Sequence, residues 1–354
     1  MMIRWKHVLL AAIAAPLLAL LVAWSGVIYI GATGGHWSIT NWFLHYVMRQ
    51  SIATYAIPVE EPEIIDPGLL VPAAGHFQQG CAFCHGAPGE QRSATVMKML
   101  PQPPDLTTVL STWSDEELFR IVRNGVRYSG MPAWPTQERD DEVWGLVAFL
   151  RQMNGMDAET YQTLTQQPAS GNQAAGSVAF ERALSACAAC HNLDGSGRSS
   201  VIPILAGQSE TYLLNSLHAY ADGSRASGYM QTAATLVDRA LYAELAAYFA
   251  AQTEPAPPPV DAPNDVLELG RRIAEQGLPD KEVPACLSCH GSTRKAAYPS
   301  LDGQHRDYLV RQLVLFAEEH RGGTPFNHLM IRPAKGLSEP EREAVAAYFA
   351  SRRR

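Results

Sequence analysis

Basic charge is scarce in this chain: 28 Lys and Arg stand against 35 Asp and Glu, a formal net charge of −7. Nucleic-acid binders are basic, so that class is excluded. Strand-like alternation is missing too. No segment alternates apolar and polar residues long enough for a strand, which leaves an all-α fold. Charge of either sign is absent from Val8 to Ile30. Cysteine is restricted to six residues, all in pairs of one spacing. No pair is accompanied in its own stretch by the second Cys-x-x-Cys that a four-ligand zinc site would use.

What is present is one string in three copies: Cys81-Ala82-Phe83-Cys84-His85, Cys187-Ala188-Ala189-Cys190-His191 and Cys286-Leu287-Ser288-Cys289-His290. A single Cys-x-x-Cys-His would leave a zinc knuckle, a redox pair or a disulfide framework open. Three copies that use every cysteine, each followed by histidine, are the attachment signature of c-type haem. Two thiols add across the two vinyl groups of one porphyrin, and the adjacent histidine lies under the iron as proximal ligand. The expected cofactors are three covalently attached haem c groups, held by Cys81, Cys84 and His85, by Cys187, Cys190 and His191, and by Cys286, Cys289 and His290. With all six thiols committed, none remains to ligate an iron directly.

Val8–Ile30 as helix spans about 35 Å, enough for a bilayer core. Arg4 and Lys6 precede it and no Lys or Arg follows until Arg49, so the positive-inside rule puts the N-terminus in the cytoplasm and the rest outside. A cleaved signal peptide, cut near Ala23-Trp24-Ser25, is the competing reading. The apolar run continues past that site and is long for a signal peptide, so the expectation is an uncleaved transmembrane anchor at 8–30. Both readings export the chain to the compartment where haem c is attached. The aromatic stretch His36–Arg49, with Thr40 or Asn41 as a cap, suits a helix lying at the membrane interface or one packed on the first haem domain. Together with an acidic, extended connector at Glu60-Glu61-Pro62-Glu63 it makes up 31–65.

The motifs lie about one hundred residues apart, which makes the repeat unit a domain able to bury its own core. Three units are expected, at 66–157, 169–252 and 264–354. Each has a short helix, the motif, a proline loop, a middle helix, a methionine and a final helix. In the first, the capping box Ser114-Asp115-Glu116-Glu117 starts a middle helix that stops at Asn124-Gly125, and the last helix ends at Asn154-Gly155. Ser338 and Glu341 form a second capping box. The second and third units are most alike: Pro203–Gln208 parallels Pro299–Gln304, Tyr212-Leu213 parallels Tyr308-Leu309, and both end in Ala-Ala-Tyr-Phe-Ala. Residues 160–176 read as a soft link, and Thr253–Pro259 as a semi-rigid proline-rich spacer.

A stable electron carrier needs a second axial ligand on each iron, and methionine opposite histidine raises the potential. Met230 and Met330 are the single methionines of their units, and each lies sixteen positions before the Ala-Ala-Tyr-Phe string. Met131 has the same offset from Val147, which selects it over Met97, Met99, Met153 and Met156. The iron ligands expected are therefore His85 with Met131, His191 with Met230, and His290 with Met330. His328 is an alternative to Met330. His218, His305 and His320 read as surface or packing residues. The other ring nitrogen of each proximal histidine needs an acceptor, and the candidates are carbonyls of the proline loops, at Pro103 or Pro104, Pro203 and Pro299.

From about Asp66 to its end the chain resembles the class I cytochrome c family. The carriers of the resemblance are the three motifs, the Gly-Gln-x-x-x-Tyr-Leu segments at Gly207 and Gly303, and the methionine segments. The last two units look like a di-haem periplasmic cytochrome c. The first resembles the single-domain type through Gly130-Met131-Pro132-Ala133-Trp134. The Met230 and Met330 loops lack that Gly-Met-Pro form. The resemblance implies a helical fold around each haem and electron transfer at the periplasmic face, and the apolar N-terminal run adds a single helix in the bacterial inner membrane. The expected function is an electron carrier with no catalytic residues. It would run from a quinol-oxidising complex or periplasmic dehydrogenase towards a terminal oxidase. The alternatives are the cytochrome subunit of a membrane-bound dehydrogenase and, further off, a haem peroxidase.

Overall fold

The structure, a computed structural model, describes residues 5–31, 33–165 and 177–353. Arg4 of the charge argument, Ala169 at the start of the second unit, most of the 160–176 link and Arg354 lie outside the described residues. Among those described, helices and turns account for the fold, and only two isolated bridges occur, with no strand. The all-α expectation holds.

Helix α1 (Trp5–Trp24) is the one described helix long and apolar enough to cross a membrane, and none of it is buried. It stops short of the 8–30 span read from the sequence. Gly26 takes φ +68 and the Ser25 side chain bonds back to the Val22 carbonyl, so Val27–Ile30 leave the helix although they are apolar. Helix α2 (Ser38–Ala56) starts earlier than a Thr40 or Asn41 cap would place it. Its N-cap is Trp37, without a side-chain bond. One side of α2 docks on the first unit, where the Arg49 guanidinium lies 4.2 Å over the Trp113 ring and Arg120 Nε donates to the Tyr55 carbonyl at 2.6 Å. Trp42, Phe43 and Tyr46 stay more than half exposed.

The first unit comprises α3 (Leu70–His76), α4 (Ala82–His85), α5 (Leu106–Val109), α6 (Asp115–Asn124), α7 (Asp140–Met153) and α8 (Ala158–Thr165). Both arms of the Ser114–Glu117 capping box form, and Gly125 stops α6 at φ +65. The link expected to begin at Thr160 is still helix there. Tyr161 is fully buried against Phe77 and Phe149, and its hydroxyl donates to the Gln78 side chain. Burying such a ring stabilises by about 2 kcal/mol, enough to hold one short polar helix in place.

The second unit is built from α9 (Val178–His191), α10 (Glu210–Ala221), α11 (Gly228–Thr235) and α12 (Tyr242–Ala250). The third has α13 (Asn264–Gln276), α14 (Leu287–His290), α15 (Arg306–Ala317), α16 (Ile331–Gly336) and α17 (Glu339–Ser351), the last opened by the Ser338–Glu341 capping box. Gly270 lets α13 cross α17 closely, since a Cβ there would lie 2.1 Å from the Ala344 carbonyl oxygen. Each stretch has its own apolar cluster, centred on Phe77 and Phe149, on Phe180 and Leu245, and on Ile273 and Phe349. A fourth, small cluster joins Leu69 of the first unit to Val201 and Ile202 of the second.

The units are locked by polar contacts as well. Gln208 exchanges two hydrogen bonds with the backbone of Ser300, and Gln304 exchanges two with the backbone of Ile204, at 2.8–3.0 Å. The Gly-Gln motif of each repeat therefore seats in the other repeat's proline loop. From the first unit, Arg311 of α15 is gripped by Asp66 at 3.0 Å and by Asp141.

Candidate haem sites and their surroundings

In each motif the two cysteines lie on a helix or turn whose last residue is the histidine. Cys81 closes a π-turn (Phe77–Cys81) ahead of α4, Cys187 and Cys190 lie on α9, and Cys289 lies on α14. The chain then turns away, at Gly86 with φ +77 after the first motif and at Asn192 with φ +60 after the second. The turn brings a proline carbonyl back to the histidine. The His85 Nδ1 lies 3.0 Å from the Pro104 carbonyl, His191 Nδ1 3.2 Å from Pro203, and His290 Nδ1 3.0 Å from Pro299. The expected acceptors are in place, with Pro104 chosen over Pro103, whose carbonyl takes Arg92 at 2.7 Å. A carbonyl only accepts, so Nδ1 carries the proton and Nε2 keeps its lone pair for a metal. Burial lowers all three imidazoles below the ordinary histidine value, His191 to about 4, which favours their neutral form at physiological pH.

All six cysteines are free of disulfides. Burial pushes the Cys81 and Cys187 thiols up to about 12, and Cys190 and Cys286 up to about 11. The cause is the apolar surroundings of the thiols, which disfavour the charged form. Among the described residues no cluster of three or more His, Cys, Asp or Glu forms around them.

A cavity of about 330 Å³ runs between the second and third units. It is lined by Cys187, Cys190 and His191 together with Met230, and by Cys286, Cys289 and His290 together with Met330. The structure thus brings both histidine–methionine pairs to one apolar space. His328 is exposed and does not line it, which leaves Met330 as the group on that side. The first motif and Met131 do not border this cavity. Met131 is half-buried in a loop fastened by Ser129 Oγ, which accepts from its amide at 3.2 Å, and by its own carbonyl, which accepts from Val126.

Three buried arginines that the sequence did not single out also line the cavity: Arg139, which is paired with Glu142, and Arg225 and Arg321. Arg225 donates to Ser216 at 2.9 Å and to Tyr308 at 3.1 Å, and Arg321 donates to Tyr212 at 2.9 Å. Neither meets a carboxylate among the described ion pairs, and Arg321 Nε is buried without a partner. Burial alone would raise the Tyr212 phenol, but Arg225 and Arg321 bring it down to about 7. Buried cations without counter-charge are costly. An apolar cavity with thiols and neutral imidazoles on its walls and unpaired guanidiniums inside fits a porphyrin that carries two carboxylates.

This arrangement is that of a c-type cytochrome, and comparisons with known proteins agree. Residues 71–150 match the family described as cytochrome c oxidase, cbb3-type, subunit III. Cytochrome c-552 of Acidithiobacillus ferridurans is 36% identical over 182 residues, covering 48% of this chain and 75% of that protein. Cytochrome c4 of Pseudomonas aeruginosa is 36% identical over 184 residues, 50% of this chain and 89% of its own. A thiosulfate dehydrogenase electron acceptor of Stutzerimonas stutzeri is 32% identical over 212 residues, 58% of this chain and 92% of its own. The chain belongs to the cytochrome c family, whose members bind haem c covalently through Cys-x-x-Cys-His.

Proposed function

We propose that this protein is a membrane-anchored periplasmic electron carrier with three covalently attached haem c groups in three cytochrome domains, at 66–157, 169–252 and 264–354. The ligand sets are His85 with Met131, His191 with Met230, and His290 with Met330. When bound, each haem supplies an iron that cycles between ferrous and ferric states, one electron at a time. The chain's part is to hold and tune. The thiols fix each group, the proline carbonyls hold each imidazole in its ligating tautomer, the apolar walls exclude water, and Arg225 and Arg321 offset the carboxylates. The observation that carries this reading is the shared cavity, on which His191 with Met230 and His290 with Met330 converge. Helix α1 serves as the anchor in the bacterial inner membrane, and the exposed Trp42, Phe43 and Tyr46 of α2 rest at its surface.

Electrons would arrive from a quinol-oxidising complex or a periplasmic dehydrogenase and leave towards a terminal oxidase. The dehydrogenase side gains weight from the relatives that are electron acceptors of thiosulfate dehydrogenase. Stable membership of a dehydrogenase complex is therefore the second reading. The test is stoichiometry. The denatured chain should retain three haems through acid-acetone extraction, and a Cys187→Ala/Cys190→Ala variant two. Haem that extracts freely would overturn the proposal.

A further inference from the structure

The segment just ahead of Met230 is held almost entirely by the first unit. Arg139 Nη1 donates to the Ala226 carbonyl at 3.0 Å. Ser227 Oγ donates to Glu142 Oε1 at 2.7 Å, and the Gly228 amide donates to Glu142 Oε2 at 2.6 Å. Tyr229 Oη donates to the Glu142 carbonyl at 2.7 Å. One residue beyond Met230, the Gln231 side chain accepts from Thr136 Oγ1 at 3.1 Å. The chain also has no room to shift towards the first unit, because a Cβ on Gly228 would lie 2.3 Å from the Trp134 indole. Ser227 passes the restraint on, since its Oγ also accepts from the Met230 amide at 3.2 Å as the N-cap of α11.

Glu142 is 2% exposed, and its ion pair with Arg139 at 2.9 Å is equally dry. A buried carboxylate that accepts hydrogen bonds in addition to its ion pair is a stiff anchor, because release would strand its charge. The corresponding segment of the third unit differs. The Asn327 and Leu329 amides bond to Thr324 and Phe326, within their own loop.

We infer that Glu142 is a positioning residue for Met230, so that docking of the first unit fixes the sulfur on the second iron, whereas Met330 takes no such tie from the first unit. This rests on Met230 being an axial ligand. The two units would then be coupled: the quality of one iron's ligation in the second depends on contacts supplied by the first.

The experiment uses the full-length haem-loaded protein in detergent and a Glu142→Gln variant. Three readouts apply: the near-infrared sulfur-to-iron band, carbon monoxide uptake by the reduced protein, and amide hydrogen exchange. Glu142→Gln should weaken the band by up to one third and open one iron to carbon monoxide. It should also speed exchange at Gly228 and Met230 by about tenfold or more, the expected effect of losing charge-assisted bonds. Exchange at Leu329 and Met330 should stay unchanged. A folded Glu142→Gln protein with full band, no carbon monoxide uptake and unaltered exchange overturns the inference. Should that variant fail to fold, Tyr229→Phe and Thr136→Val each remove one tie and should show the same signature in smaller degree. Silence in both overturns the inference equally. Met230→Ala tests the underlying assignment separately: if it leaves the band whole, Met230 is not a ligand, whatever Glu142 does.

Discussion

Gln208 and Gln304, in equivalent positions of the second and third repeats, each satisfy the backbone of the other repeat's proline loop, at Ser300 and Ile204. Those loops also supply the carbonyls that hold His191 and His290, at Pro203 and Pro299. The seam between the units and the orientation of both proximal histidines are thus one construction. Gln208→Leu should strand the buried Ser300 amide and carbonyl and cost about 3 kcal/mol. Chemical denaturation of the single variants and of the double variant with Gln304→Leu would measure it. Effects no larger than those of a surface substitution would contradict a shared seam.

Axial ligation gives a second prediction. Met131→Ala, Met230→Ala and Met330→Ala should each remove about one third of the near-infrared band and open one iron to carbon monoxide, since a soft thioether ligand is lost each time. His328→Ala should change neither signal, because that side chain is exposed and off the cavity. A wild-type protein that takes up carbon monoxide rapidly and turns over peroxide would favour an enzyme instead.

The membrane attachment is tested by fractionation. The mature chain should begin at or near Met1 and remain in washed membranes. Removal of α1 should release it, leaving weak vesicle binding through α2 that drops about tenfold when Trp42 and Phe43 become Ser. A native soluble chain starting at Gly26 would point to cleavage.

Acid should act on the junction through Asp141. Burial opposes its ionisation, but the hydrogen bonds and charges of Arg139 and Arg311 outweigh that and hold its carboxyl below the ordinary value. A depressed acid contributes stability above its unfolded value near about 3.9 and loses it as pH falls through its folded value. The group is 34% exposed, so solvent screening limits the contribution to about 1 kcal/mol. Asp141→Asn should therefore be less stable than wild type at neutral pH, and the gap should close as the pH drops below about 4. A gap independent of pH would exclude the charge as its source.

Much of this was legible in the sequence because it is local. A motif and a capping box are each readable within one repeat, and the proline acceptors came from the geometry a proximal histidine needs. The seams were not legible. Glu142 and Gly228, or Gln208 and Ser300, lie too far apart in the chain for any periodicity to link them. Composition misled at Thr160–Thr165, where one buried aromatic outweighs polar neighbours. Hydropathy misled at Val27–Ile30, where a single glycine in the left-handed region ended the helix.

The reach of Arg311 to both Asp66 and Asp141 closes the three repeats into a ring instead of a string. The last repeat touches the beginning of the first, and α2 is fastened to the first in turn. Anchored through α1 as proposed, the three repeats would turn together as one body. Four glycines, Gly26, Gly31, Gly34 and Gly35, stand between Trp24 and Ser38, residues with the widest choice of backbone conformation.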